Sequence, residues 1–171
     1  MYRYALTIEY DGSPFHGWQI QSNLSTVQGV ISNAIKKLDI NCESFTGAGR
    51  TDAGVHAIGQ VAHVDLKTYR DCETVKKAIN YYLNKYPISI LDAKEVSIDF
   101  HARFSATRRH YTYKIFSRTT DLTFERNQFW HVRHPLNISQ MELAATYLIG
   151  KHDFTTFRSS ICQASSPIKT I

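Results

Sequence analysis

One arginine and one carboxylate stand two residues apart inside a glycine-rich stretch, Gly47-Ala48-Gly49-Arg50-Thr51-Asp52-Ala53-Gly54-Val55-His56. If Arg50, Thr51 and Asp52 run extended, side chains at i and i+2 project to the same side, so Arg50 and Asp52 can pair or converge on one substrate. An ionised carboxylate suits nucleophilic or base chemistry, whereas a general acid needs the opposite environment. Three glycines in eight residues let the backbone take φ > 0 or lie close against a ligand. The competing interpretation is that Asp52 only ties down its own turn through an Asx hydrogen bond, with Arg50 a surface charge.

Two familiar glycine motifs are excluded. Gly47-x-Gly49 lacks the third glycine of a dinucleotide fingerprint, and Gln60 to Leu66 alternate like a strand where that fingerprint would open a helix. No Gly-Lys-Ser/Thr ending makes a P-loop. His56, His63 and Asp65 have no metal-ligand spacing, so no metal is expected. Cys42, Cys72 and Cys162 are far apart and odd in number, which argues against a disulfide framework and a Cys-rich zinc site. The N-terminus has no apolar signal core, and no run approaches ~18 apolar residues. The expectation is a soluble, cytoplasmic protein without a membrane anchor.

Charge points to the partner. The 171 residues carry a net +5, and residues 101–134 hold seven basic side chains (Arg103, Arg108, Arg109, Lys114, Arg118, Arg126, Arg133) against Asp121 and Glu125. That one segment accounts for the whole excess. Tyr111, Tyr113, Phe116, Phe129 and Trp130 are interleaved with these charges, a pattern suited to nucleic acid, with phosphates attracted by charge and bases stacked on rings. The alternative is a solvated strand face over core aromatics.

The elements that must position the motif follow from periodicity. Tyr2, Tyr4, Leu6, Ile8 and Tyr10 alternate as a half-buried strand that Asp11-Gly12-Ser13-Pro14 ends. The loop Phe15–Gln21 is expected to pack, with nucleotide contact as the alternative. Ser25-Thr26-Val27-Gln28 reads as a capping box before a helix facing the core with Val27, Val30, Ile31, Ala34, Ile35 and Leu38. Short strands are expected at 44–46 and 60–67, a helix capped by Asp71, and a strand from Ile88 to Val96. Strand, helix, strand, strand, helix, strand is the ferredoxin-like order, with the Gly/Arg/Asp motif between its middle strands. With 43% hydrophobic residues the chain can build such a core.

A second unit is expected from about Phe100, dividing the chain into residues 1–100 and 101–171. Arg109, Tyr111, Tyr113 and Ile115 would share a strand face, and Phe129 to Arg133 would form another strand. Ser139-x-x-Glu142 would cap a helix with Met141, Ala144, Ala145 and Leu148 inward and Gly150 at its end. Asp153 to Arg158, a Ser-rich loop and a few strand-like residues complete the chain. No fourth helix or closing strands follow, so this half reads as incomplete.

Taken together, Tyr10-Asp11-Gly12 with Gly17-Trp18-Gln19, Gly49 to His56 with Gln60, Phe100 to Ala106 leading into Tyr111-x-Tyr113, and Asp153-Phe154 with Phe157-Arg158 resemble the tRNA pseudouridine synthase A (TruA) family. The resemblance runs over essentially the whole chain. It implies an α+β fold of two ferredoxin-like (βαββαβ) halves around a basic cleft, the second truncated here, in a homodimer without cofactor or metal. It also implies isomerisation of uridine to pseudouridine at positions 38–40 of the tRNA anticodon stem-loop. Carried over, Asp52 is the catalytic carboxylate, Arg50 its ion-pair partner that also occupies the space of the flipped base, and Tyr111 the aromatic packed on uracil. Arg103, Arg108, Arg109 and Arg126 are the expected RNA contacts. The rival readings are a non-catalytic RNA-binding module, an N-glycosidase releasing free uracil, and a truncated, inactive synthase.

Overall fold

The computed structural model describes residues 1–42, 44–158 and 166–171. Alternation across Tyr2–Tyr10 forms β1, which buries Tyr4, Leu6, Ile8 and Tyr10 and turns Arg3, Ala5, Thr7 and Glu9 the other way. The chain continues through α1 (Val27–Leu38), β2 (Ser44–Gly47), β3 (Ala57–Leu66), α2 (Cys72–Leu83) and β4 (Ile88–Val96). The sheet order is β2-β3-β1-β4 with every pairing antiparallel, so the ferredoxin-like expectation holds for these residues. Tyr4 faces Val64 and Leu6 faces Ala62 on β3, while Leu6 also faces Ala93 on β4, which puts the apolar positions of three strands on one side.

Both helices cover that side. Val27, Ile31, Ala34 and Ile35 of α1 and Val75, Ile79 and Leu83 of α2 complete the core with the strand residues. Each fully buried large aliphatic contributes about 1.5–3 kcal/mol relative to exposure, so the stripe of α1 alone can hold it to the sheet. Asp71 caps α2 as expected, its carboxylate accepting from the Thr74 N–H at 2.9 Å. The cap of α1 differs from the expected box. Thr26, one residue later than Ser25, is the N-cap and accepts from the Gly29 N–H at 3.3 Å. Gln28 does not reach back to close a box, because its amide donates to the Phe45 carbonyl at 3.2 Å. The side chain is used to tie α1 to β2.

The chain divides into two compact units, Met1–Tyr113 with Glu125–Gln128, and Lys114–Phe124 with Phe129–Ile171. In the second, β5 (Ile115–Ser117) pairs with β6 (Trp130–Val132) in parallel, and β7 (Lys151–Asp153) pairs with β8 (Ile168–Thr170) antiparallel. The strand expected to carry Arg109, Tyr111 and Tyr113 is absent: residues 106–114 have no regular structure, and β5 begins only at Ile115. A short alternation without a partner strand does not make a ladder. The helix α3 (Ile138–Thr146) is capped by Asn137, which accepts from the Gln140 N–H at 3.0 Å, where Ser139 was expected. Its apolar stripe was expected inward, yet no residue of α3 is buried, because three-residue strands offer too little surface to receive it. The Ser-rich loop and Cys162 lie outside the described residues. Cys42 and Cys72 are free thiols. Among the described residues no helix is long and apolar enough to cross a membrane.

Candidate active site

The motif occupies the connection from β2 to β3, and its backbone is held at nearly every residue while its two charged side chains are left open. At the β2 end, the Ala48 N–H donates to the Val61 carbonyl at 2.7 Å, and the Gln60 amide donates to the Gly49 carbonyl at 2.7 Å. In the middle, the Trp18 N–H donates to the Thr51 carbonyl at 3.0 Å, and the hydroxyls of Tyr10 and Thr51 share a 2.8 Å hydrogen bond. Burial pushes the Tyr10 hydroxyl pKa up, with the Thr51 bond acting in the opposite direction. Beyond Asp52, the Val55 N–H closes onto the Asp52 carbonyl and the Gly54 N–H onto the Phe15 carbonyl. His56 ends the loop: its Nε2 lies 2.6 Å from the Asn127 carbonyl, and its Nδ1 meets the Gly12 N–H at 3.2 Å and the Asp11 carboxylate at 3.0 Å. Ser13 most of all, and His56 in addition, hold the Asp11 carboxyl below its usual range.

The loop 11–19 is the support beneath the motif. Gly17 sits at φ +86°, and a Cβ there would lie 2.7 Å from the Thr51 carbonyl, so only glycine lets the two backbones meet. Gly47 faces the indole of Trp18, where an added Cβ would come within 2.6 Å of the ring. Phe15 and Trp18 are buried, as packing requires, with Trp18 between Tyr10 and Phe45 at centroid distances of 6.0 and 5.9 Å. Their polar neighbours behave differently, since His16, Gln19 and Gln21 line the pocket over the motif. Periodicity does not divide this loop into buried and open residues. The signal that separates its residues is the interleaving of aromatic and amide side chains.

Arg50 and Asp52 both line that pocket of about 340 Å³, together with Leu24, Thr51 and Ala53. They converge on one space but are not paired: among the described residues no ion pair joins them, and the Asp52 carboxylate accepts no hydrogen bond. The Asx-turn alternative therefore fails for Asp52, whereas Asp11 does make such a turn, with the Ser13 N–H at 2.8 Å. Tyr111 is exposed in the irregular segment and does not line this pocket. Arg108 and Arg126 are exposed, and among the described residues neither has a protein partner. The Arg103 guanidinium lies over the Phe104 ring at 5.5 Å. Arg109 is engaged, donating to the Ala48 and Arg103 carbonyls. His63 and Asp65 serve the fold: His63 accepts the Ala102 N–H at 3.2 Å, and Asp65 takes Arg3 at 2.6 and 2.7 Å and the Ser44 hydroxyl at 2.7 Å. Among the described residues no group of three His, Cys, Asp or Glu could hold a metal ion.

A family model for tRNA pseudouridine synthase matches residues 6–105, the stretch containing the motif and its support. The tRNA pseudouridine synthase A of Xanthobacter autotrophicus is 52% identical over all 171 residues, which cover 70% of that protein. The chain belongs to the tRNA pseudouridine synthase A family. The same enzyme of Maricaulis maris is also 52% identical, with 69% of its length covered, and that of Ruegeria is 46% identical, with 66% covered. The family is one of isomerases, and the chain spans about 70% of the length of the first two relatives.

Proposed function

We propose that this protein isomerises uridine to pseudouridine at positions 38–40 of the tRNA anticodon stem-loop, with Asp52 as the catalytic carboxylate. The observation that carries this reading is a carboxylate and a guanidinium, both without a partner among the described residues, lining one pocket on a loop whose backbone is fixed on either side of them. A site built for structure would pair two such charges. One built to meet a substrate holds their backbone and leaves their heads open.

The reaction breaks the N1–C1′ bond, turns the uracil and joins C5 to C1′. The C5 proton leaves and N1 gains one, with no net redox change or hydrolysis. One carboxylate suffices because uracil departs as a stabilised anion, unlike the leaving group of an ordinary glycosidase, which needs a second carboxyl as acid. Asp52 acts at the ribose, on C1′ as nucleophile or on the C2′ proton as base. Arg50 fills the stack that the flipped nucleotide vacates, and Tyr111 supplies the ring that packs on the uracil. Arg103, Arg108 and Arg126 bind phosphates. By the family resemblance, the protein works in the cytoplasm as a homodimer without cofactor or metal.

Product analysis after incubation with an anticodon stem-loop RNA tests this. Pseudouridine should appear in step with uridine loss and without free uracil. Free uracil would indicate an N-glycosidase, and bound but unaltered RNA a binding module.

A further inference from the structure

Arg109 stands among the basic residues expected to grip RNA, yet its guanidinium is turned onto the protein. One terminal nitrogen donates to the Ala48 carbonyl at 2.8 Å and to the Arg103 carbonyl at 3.2 Å. Its Nε lies 3.6 Å from where a Cβ on Gly49 would be, so the guanidinium rests against the start of the motif loop. The neighbouring carbonyl, Gly49, is held by Gln60 at 2.7 Å. Two successive carbonyls directly before Arg50 are thus clamped by side chains, one from β3 and one from the basic segment.

The far end of Arg109 is itself anchored. Arg3 bridges Asp65 to the carbonyls of Ile98 and Phe100, and His63 accepts the Ala102 N–H. The His101 carbonyl accepts from the Ser105 N–H at 2.7 Å, and the Ser105 hydroxyl accepts from the His101 N–H at 3.0 Å, closing residues 101–105 into a turn. From the sheet, through that turn and the Arg103 carbonyl, Arg109 reaches the loop. A charge-assisted hydrogen bond to a carbonyl that is nearly buried, as Ala48 is at 8% exposure, is stronger than one in water.

We infer that Arg109 is a positioning residue, which sets the start of the Arg50–Asp52 loop against the turn at 101–105 and contributes no phosphate contact of its own. This rests on the reading of Asp52 as the reacting group, but its test does not need turnover. Three proteins are compared: the unaltered chain, R109Q and R108Q, Arg108 being exposed and, among the described residues, without a protein partner. Hydrogen exchange is followed in peptides covering residues 48–56 and 2–10, and anticodon stem-loop affinity is measured over a series of salt concentrations. For R109Q, exchange in 48–56 should rise at least several-fold while 2–10 is unchanged, and the slope of log affinity against log salt should match the unaltered chain. For R108Q the slope should flatten by about one unit, with exchange in 48–56 unaltered. Turnover of R109Q should fall by roughly ten- to a hundredfold with affinity kept. R109K retains a donor and should recover much of the exchange protection. Unchanged exchange in R109Q, or a slope that flattens as in R108Q, would overturn the assignment. If R109Q exchanges globally, R109K decides alone: protection of 48–56 near that of the unaltered chain supports the clamp, and loss confined to affinity refutes it. Failure of the Asp52 reading would appear separately, as turnover surviving in D52N.

Discussion

In the first unit the stripe of α1, Val27, Ile31, Ala34 and Ile35, is buried against a four-stranded sheet, whereas in the second the apolar positions of α3, Met141, Ala144 and Ala145, leave no residue buried. Both sequences place apolar residues three and four apart, but the apolar face is much sharper in α1 than in α3. The receiving surface differs as well, nine- and ten-residue strands in one case and three-residue strands in the other. An amphipathic pattern therefore specifies a face and not its cover. The motif loop is carried by the unit whose core is closed, and that is what lets hydrogen bonds place Arg50 and Asp52.

The comparison breaks most visibly at the pair joining β1 to β3. Arg3→Met should cost about 3–5 kcal/mol, because Asp65 stays buried with its charge uncompensated. Urea unfolding checks this, and a cost under about 1 kcal/mol would show the pair to be dispensable. Next come matched helix truncations: Ile31→Ala should cost about 2–5 kcal/mol, while Met141→Ala should stay within about 0.5 kcal/mol. Equal costs would mean that α3 is covered in solution. Thr26→Ala should cost about 1 kcal/mol and Ser25→Ala much less, which separates the observed cap from the expected one.

The smallest effect is on pH dependence. Burial above all, with Arg3 and His101 adding to it, lowers the His63 pKa from the ordinary value of 6.5. The unfolded chain therefore takes up a proton that the folded chain resists. Stability from this group is complete above pH 6.5 and is lost as pH falls from there through the lowered value. Burial works to raise the carboxyl pKa values of Asp65 and Asp39, but Arg3 and Ser44 hold the first low and backbone N–H groups the second, so both lose their contributions only below pH 3.8. A melting temperature that is flat from pH 7 to pH 5 would contradict the His63 part; replacing His63 by Gln should remove the slope.

How much was legible follows from the kind of interaction involved. The strand alternation of β1, the Asp71 cap, the Ile88–Val96 boundaries and the βαββαβ order were readable because they rest on local periodicity and turn chemistry. So was the placing of Arg50 and Asp52 in one loop. Their separation in the pocket was not, since an Arg two residues from an Asp reads equally as a pair or as two heads aimed at a third party. The contacts of Gln28 and Arg109 were not readable for one reason: each side chain reaches a carbonyl distant in sequence, Phe45 for Gln28 and Ala48 for Arg109, and no spacing announces that. The alternation of β1 shows Tyr10 as core but not what its hydroxyl does, because the partner, Thr51, lies 41 residues away.

The most direct test of the account is Asp52→Asn, which keeps the size and hydrogen-bonding capacity of the side chain and removes its charge. Tritium release from an anticodon stem-loop labelled at uridine C5, read beside filter binding of the same RNA, separates chemistry from recognition. The account predicts that release disappears while affinity is kept or tightened, since a carboxylate no longer repels the phosphates. Release at the unaltered rate would contradict it and would move the reaction to another group of the pocket.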